Sequence, residues 1–169
     1  MLPERHRPRN IAAPLDSNVF PRLCLLLAQE SFRQEVAAFG ADLITGFPTE
    51  SEEMFQRTVD LVDEAGLTSL HVFRFSPRPG TPAARMPQVA KHVAKERAAR
   101  LRAKGDAAAR QRQLSLVSSD QTLLVERRGN GRSECFTPIS FDGDAPPASI
   151  IRCHVTGLAG NELKAELVS

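Results

Sequence analysis

The stretch that decides the fold is ADLITGFPTESE at residues 41–52. Residues 42–45 are a short apolar run that ends at Gly46, with a proline two positions later, which is typical of a buried strand stopped by a turn. Thr49 and Glu52 follow with the spacing of a capping box, so we expect Thr49 to be the N-cap of a helix. The pattern predicts a strand, a tight turn and a helix in direct succession.

A second strand completes this unit. Apolar residues recur on one helical face between residues 55 and 65, and Gly66 stands where a left-handed helix cap is expected. A β-prone run at residues 70–73 follows. Strand, helix and strand with tight connections form a βαβ unit, whose strands should be parallel. Because one such unit cannot cover both faces and both edges of its sheet, the pattern indicates part of a larger α/β domain.

A basic helix and a β-rich region follow. Residues 88–116 have helical spacing and set eight lysines and arginines against Glu96 and Asp106. Such a run is typical of a solvated helix face, and the alternative is a ridge that contacts phosphates. After residue 118, turns separate short β-prone runs that predict a small β-barrel, at residues 122–125, 135–139, 150–155 and 163–168.

Composition narrows the classes of function. The net charge of the 169-residue chain is only +2, so bulk charge indicates no partner. Cys24, Cys135 and Cys153 are too far apart for a CxxC motif and favour buried thiols in a reducing cytosol. The apolar run at residues 23–28 is too short to cross a bilayer, so we expect a cytoplasmic protein without a membrane partner. Proline-rich residues 1–35 are expected to form a poorly ordered arm.

Two motifs resemble the end of the catalytic domain of radical-SAM tRNA methylthiotransferases: GADLITGFPTESE at residues 40–52 and LHVFRFSPRPGTPA at residues 70–83. The last segment is similar to that family's TRAM domain, an RNA-binding barrel, through GRSE at residues 131–134 and TGLAGNEL at residues 156–163. The HVF sequence before SPRPGT is most similar to the branch that acts on threonylcarbamoyladenosine in tRNA. Thr49 stands where the family usually has glycine.

The resemblance implies a fold of three parts. An α/β fragment, the last βαβ of a radical-SAM partial barrel, is joined by a long basic helix to a small all-β TRAM-like barrel. The expected divisions are an unassigned arm, the end of the radical-SAM domain, a linker helix and the RNA-binding barrel, at residues 1–35, 36–86, 87–117 and 118–169.

The resemblance also implies binding residues. S-adenosylmethionine would lie beside Gly46, Glu50, Phe73 and Phe75; the alternatives are a turn glycine and phenylalanines of the core. Phe136 and Phe141 are the only aromatic residues of the barrel segment, so we expect little base stacking. The residues expected to face RNA are Arg78, Arg97, Arg100, Arg127, Arg128, Arg132, Arg152 and Lys164.

The family's reaction uses S-adenosylmethionine and [4Fe–4S] clusters held by closely spaced cysteines. The chain has no CxxxCxxC motif, so we predict no catalytic or metal-binding residue and no stable binding of either cofactor by this chain alone. We expect the carboxy-terminal part of a tRNA methylthiotransferase, inactive alone, whose partners are tRNA and a separate chain with the missing radical-SAM region. The alternative is a stand-alone, non-catalytic RNA-binding module.

Overall fold

The computed structural model describes residues 38–168, so the predicted arm at residues 1–35 and Cys24 lie outside the described residues. No helix in this range is long and apolar enough to cross a membrane. The elements in chain order are β1 (Phe39–Thr45), α1 (Glu52–Glu64), β2 (Leu67–Arg74), a 3-10 turn (Ala83–Arg85), α2 (Lys91–Ser115), β3 (Asp120–Arg127), β4 (Asn130–Ser133), β5 (Pro138–Asp142), β6 (Ile150–Ala159) and β7 (Glu162–Leu167).

The first three elements form the predicted βαβ unit. β1 and β2 are parallel, and Leu43 lies opposite Val72 in the strand pair. Both side chains belong to a core under α1 and α2 that includes the fully buried Phe55 and Leu101. Gly66 has φ 61°, which confirms the left-handed cap after α1. We call this region, with α2, the α/β layer.

The start of α1 differs from the prediction. Ser51, not Thr49, is the N-cap, and its hydroxyl accepts a hydrogen bond from the Met54 N–H at 3.2 Å. Thr49 has φ 69°, a left-handed conformation that glycine adopts without steric cost. Glu52 is the first helical residue and binds arginines of α2 instead of closing a capping box. The predicted cap was wrong by two residues because distant side chains hold Glu52.

Helix α2 covers one edge of the two-stranded sheet. The Phe75 N–H donates to Thr45 O on β1. Because backbone groups alternate in direction along a strand, Val72, three residues earlier, directs its carbonyl away from β1, to the outer edge of β2. There it accepts a hydrogen bond from Arg102 Nη2 at 3.0 Å. Gly105 allows close approach, since a Cβ there would lie 2.9 Å from Leu70 Cδ1. Among the described residues, no strand pairs with the outer edge of β1.

The last five strands close into a barrel in the order β3-β4-β5-β7-β6, which confirms the predicted small β-barrel. All neighbours are antiparallel except β5 and β7. The core is formed mainly by alternate strand residues such as Leu123, Ile139 and Leu163. The predicted strand at residues 135–139 is wrong at its start, because Cys135 and Phe136 form a turn and the strand begins at Pro138.

Candidate nucleic-acid interface

A buried arginine organises the turn after β1. The Arg97 side chain is 6% exposed, and its Nη1 lies 2.7 Å from Glu50 Oε2 and 3.0 Å from the Glu50 carbonyl oxygen. The same Glu50 oxygen accepts a hydrogen bond from the Gly46 N–H at 2.8 Å. Arg97 Nη2 lies 3.1 Å from Glu52 Oε2. Because buried charges need partners and hydrogen bonds, this network ties the turn to α2.

The network changes three predicted roles. Arg97 was expected to face RNA; this is wrong, because two carboxylates enclose its guanidinium. Glu50 and Gly46 were expected beside S-adenosylmethionine, but the Glu50 carboxylate is bound by Arg97 and by the Gly46 amide. Gly46 is buried at φ 75°, and a Cβ there would lie 2.6 Å from the Ala94 Cβ. The glycine is therefore required by packing of the turn against α2.

Arg100 is held in a similar way at the surface. Its Nη1 lies 2.6 Å from Glu52 Oε1, and its guanidinium carbon is 4.7 Å from the centre of the Phe55 ring. The hydrogen bond from Arg100 is the largest cause that holds the pKa of Glu52 below its ordinary value, and Arg97 adds to it. The guanidinium is thus engaged by this layer, which argues against the predicted phosphate contact.

The sheet face turned away from the helices is exposed among the described residues. Ile44 and Phe73 lie opposite each other on this face and are 59% and 54% exposed. Asp42 and His71 form the next pair on the same face, two residues earlier in each strand. Phe73 is therefore not buried in the core of the described structure, and the alternative that it is a core phenylalanine is wrong for these residues.

Phe75 takes a different position at the end of the strand pair. Its ring packs edge-on against Phe47, with ring centres 5.1 Å apart and planes at 72°. Its backbone N–H continues the pairing of the two strands by donating to Thr45 O at 2.8 Å. Of the four residues predicted beside S-adenosylmethionine, Phe73 and Phe75 thus have apolar ring surface near the carboxyl end of β2.

The two described cysteines do not fit an iron–sulfur cluster, because a cluster needs several thiolates together and each of these thiols is bonded to different neighbours in the barrel. The Cys135 Sγ lies 3.0 Å from Ser133 Oγ and 3.3 Å from Thr137 Oγ1, and the Cys153 Sγ donates to Gln121 O at 3.6 Å. Within residues 38–168, no three His, Cys, Asp or Glu side chains are grouped to hold a metal ion.

The two thiols differ in their ionisation. Burial raises the pKa of Cys153, and the negative charge of Asp120 raises it further. Burial also acts to raise the pKa of Cys135, but hydrogen bonds from its neighbouring hydroxyls and the positive charge of Arg112 outweigh burial, so its pKa lies below the ordinary value. Arg112, near the end of α2, therefore lies close to the turn between β4 and β5.

The barrel surface formed by β4, β3 and β6, which we call the basic side, carries Arg132, Arg152 and exposed apolar side chains. Its acidic residues, Glu126 and Asp120, lie against Arg132 and His154. Arg132 lies opposite Leu124 in one strand pair, and Leu124 lies opposite Ile150 in the next. Leu124 and Ile150 are both exposed. Arg152 follows two residues after Ile150 on the same face and forms no ion pair within the described residues. Arg132 lies 2.9 Å from Glu126.

The opposite barrel surface, on β5 and β7, is acidic. Lys164 shares its strand face with Glu162 and Glu166, and Glu166 lies opposite Asp142 on β5. The three carboxylates surround one lysine, so the local potential is negative. Of the barrel cations predicted to face RNA, Lys164 therefore has the least favourable position.

The other predicted RNA-facing residues lie in loops or at strand ends. Arg127 ends β3 and is exposed. Arg128 lies 3.3 Å from Asp144, and both side chains are almost fully solvated, so this pair contributes little. Arg78 is exposed in the loop after β2, where its carbonyl accepts a hydrogen bond from Thr81 Oγ1 at 2.8 Å. These three remain predictions.

The turn between β4 and β5 presents an aromatic ring to solvent. Phe136 is 78% exposed and has φ 60°, whereas Phe141 is buried in the barrel core. The sequence does not distinguish the two phenylalanines, because neither their spacing nor their neighbours indicates which one lies in the core and which one lies in a turn. The exposed ring is the surface feature that sequence reasoning missed.

Comparison with known proteins assigns the chain to a class: it belongs to the family of radical-SAM tRNA methylthiotransferases. It is 41% identical over 138 residues to the threonylcarbamoyladenosine tRNA methylthiotransferase MtaB of Rickettsia prowazekii. It is 39% identical over 146 residues to tRNA-2-methylthio-N(6)-dimethylallyladenosine synthase 1 of Mycobacterium marinum. It is 31% identical over 153 residues to the tRNA-2-methylthio-N(6)-dimethylallyladenosine synthase of Zymomonas mobilis. No family model matches the chain.

These alignments cover most of the chain but little of the relatives. The alignment with the Rickettsia protein spans 82% of this chain and 32% of that relative. The corresponding shares are 77% and 28% for the Mycobacterium protein, and 86% and 34% for the Zymomonas protein. The chain thus spans about a third of the length of the curated relatives it matches. The predicted family is confirmed, and the Rickettsia protein bears the name of the predicted branch.

Proposed function

We propose that the chain is the carboxy-terminal part of a tRNA methylthiotransferase of the threonylcarbamoyladenosine branch, and that its own activity is binding of tRNA. The name of the Rickettsia relative and the HVF–SPRPGT motif at residues 71–81 support this branch. The basic side of the barrel, with the unpaired Arg152, is the observation that carries the binding activity. Each phosphate that such a residue neutralises adds salt-dependent affinity without base specificity.

The open edge of β1 supports the proposal that the α/β layer is the last βαβ of a larger barrel. Parallel sheets are normally covered on both faces, and an unpaired strand edge is a template for another strand. The outer edge of β2 is covered by α2 and capped by Arg102, so the remaining strands would add at β1. We propose that these strands also cover Ile44 and Phe73, whether they come from this chain or from a separate one.

The chemistry of the family would then depend on residues outside the described range. The buried Cys135 and Cys153 do not fit a cluster, and Glu50 is bound by Arg97. Phe73 and Phe75 are the described residues that would line an S-adenosylmethionine site on the completed barrel. We therefore propose that the described part of the chain binds RNA without modifying it.

The test is the affinity of the purified full-length chain for unmodified tRNA, measured by fluorescence anisotropy over a series of salt concentrations. We expect log affinity to fall linearly with log salt. Arg152→Glu should weaken binding and lower the slope by about one to two, while the matched Lys164→Glu should have a smaller effect. The proposal fails if tRNA does not bind at low salt, or if both variants weaken binding equally.

A stand-alone RNA-binding module is the second candidate, because the barrel closes on itself without another chain. In that case the exposed Ile44–Phe73 face has no partner to contact. Ile44→Lys should then leave unchanged both RNA binding and any modification activity of a reconstituted enzyme. Loss of that reconstituted activity with unchanged RNA binding would favour the methylthiotransferase fragment.

A further inference from the structure

We propose that the turn between β4 and β5 binds an unpaired nucleobase of RNA, which stacks on the ring of Phe136. This inference rests on the proposed RNA-binding function and deepens it. It names the element recognised as a single-stranded or looped nucleotide rather than a duplex, because bases within a duplex are already stacked on their neighbours.

The first support is an exposed ring on an unfavourable backbone. Phe136 is 78% exposed and has φ 60°, a backbone region that residues other than glycine, asparagine and aspartate seldom adopt. Such conformations persist only where the surrounding structure imposes them, and they concentrate at functional sites. Burial among the described residues does not account for a bulky apolar residue here, since they leave 78% of it exposed.

The second support is the rigidity of the turn. The Phe136 N–H donates to Ser133 O at 2.9 Å, and the Ser133 N–H donates to Thr137 O at 3.1 Å. Arg132 Nη1 donates to the Phe136 carbonyl at 3.3 Å. Beneath the turn, the Cys135 thiol contacts the hydroxyls on both sides of it. A ring fixed in this way loses little conformational freedom when a base stacks on it.

The third support is the groove beside the ring. A groove of about 580 Å³ separates the turn from the end of α2 and from the amino ends of β1 and β2. This volume lies within the usual range for small-ligand sites. Polar groups for base edges are present in its wall: Arg112, Gln113, Arg132, Glu134 and Thr137.

Charge selects RNA over an apolar partner for this groove. Arg112 and Arg132 line it, and Arg132 lies on the basic side of the barrel that also carries Arg152. The ion pair of Arg132 with Glu126 is half exposed, so exchanging it for a phosphate contact is not costly. A basic groove beside an exposed aromatic ring is the combination that binds single strands by stacking and charge together.

The test compares two RNA probes on the full-length chain: a hairpin with a purine-rich loop and a blunt duplex of similar length. Phe136→Asn removes the ring but tolerates the positive φ, so the fold should keep its stability. We expect it to weaken hairpin binding about 5- to 100-fold, the equivalent of one stacked base, and to leave duplex binding unchanged. Phe136→Trp should keep hairpin binding, and Met54→Gln, which removes an exposed apolar side chain from α1, should change nothing.

The outcomes separate this inference from the proposed function. If the wild type binds the hairpin and Phe136→Asn does not weaken it, the stacking site is wrong while RNA binding stands. Equal loss of hairpin and duplex binding in Phe136→Asn would also overturn the stacking site, because the ring would then not distinguish unpaired bases. If the wild type binds neither probe at low salt, the proposed function fails and the stacking site with it.

Discussion

The barrel and the α/β layer satisfy their backbones in different ways. Each of the five barrel strands has two neighbours, so the barrel has no open edge. In the α/β layer, one edge of the two-stranded sheet is covered by α2, while the outer edge of β1 and the Ile44–Phe73 face are exposed among the described residues. The difference teaches that the barrel strands satisfy one another, whereas the α/β layer has a strand edge and a sheet face without a partner among the described residues.

The largest effect we expect would test what holds the α/β layer together. Arg97→Met removes one member of a buried ion-pair network and leaves Glu50 without its charge partner. Loss of one partner of a buried pair typically costs about 3–5 kcal/mol in the free energy of unfolding. Urea unfolding should show this loss in Arg97→Met, and a far smaller one in the matched Arg100→Met, whose side chain is 41% exposed. Similar losses in both variants would mean that the buried network is not what holds the turn to α2.

A pair of core substitutions would sharpen the independence of the two regions. Leu123 and Leu101 are both fully buried, the first in the barrel and the second in the α/β layer. Replacing either with alanine should lower the free energy of unfolding of its own region by about 2–5 kcal/mol. In mild urea, Leu123→Ala should lose binding of the duplex RNA probe, which does not use the Phe136 groove, before the wild type does, whereas Leu101→Ala should retain it. Equal loss of RNA binding in both would contradict the independence of the barrel.

The smallest effect concerns pH. The hydrogen bond from Arg100 lowers the pKa of Glu52 in the folded chain below the ordinary value of 4.5. Its contribution to stability is therefore present above that value and is lost as the pH falls through the lowered pKa. In urea unfolding, Glu52→Gln should be less stable than the wild type at neutral pH, and the difference should shrink as the pH falls below 4.5. A difference that persists unchanged at low pH would show that the charge of Glu52 is not the cause.

The sequence predicted the elements better than the contacts between them. The βαβ unit, the Gly66 cap and the barrel follow from local periodicity and turn residues, which act over a few positions. The N-cap at Ser51 and the burial of Arg97 depend on Glu52, whose arginine partner lies 45 positions later in the chain. No local pattern distinguishes Arg97 from the solvated arginines of the same helix, so the ridge of phosphate-binding cations was overestimated.

The exposed position of Phe136 was unpredictable for a related reason. A β-prone run that includes Cys135 and Phe136 indicates a strand, and only the hydrogen bonds between residues 133 and 137 turn the chain there.

The sequence did carry a signal at Thr49. The glycine that is usual in the family at this position indicates the left-handed conformation found there, with φ 69°.

Hydrogen–deuterium exchange of the full-length chain tests most directly whether one region is complete and the other is not. We predict slow exchange throughout β3–β7, because a closed barrel has no free edge. Amides of β1 that face its outer edge should exchange rapidly, while β2, whose outer edge is covered by α2, should be protected more strongly than β1. Protection of β1 equal to that of the barrel strands would contradict the account, since it would mean that the edge is already paired.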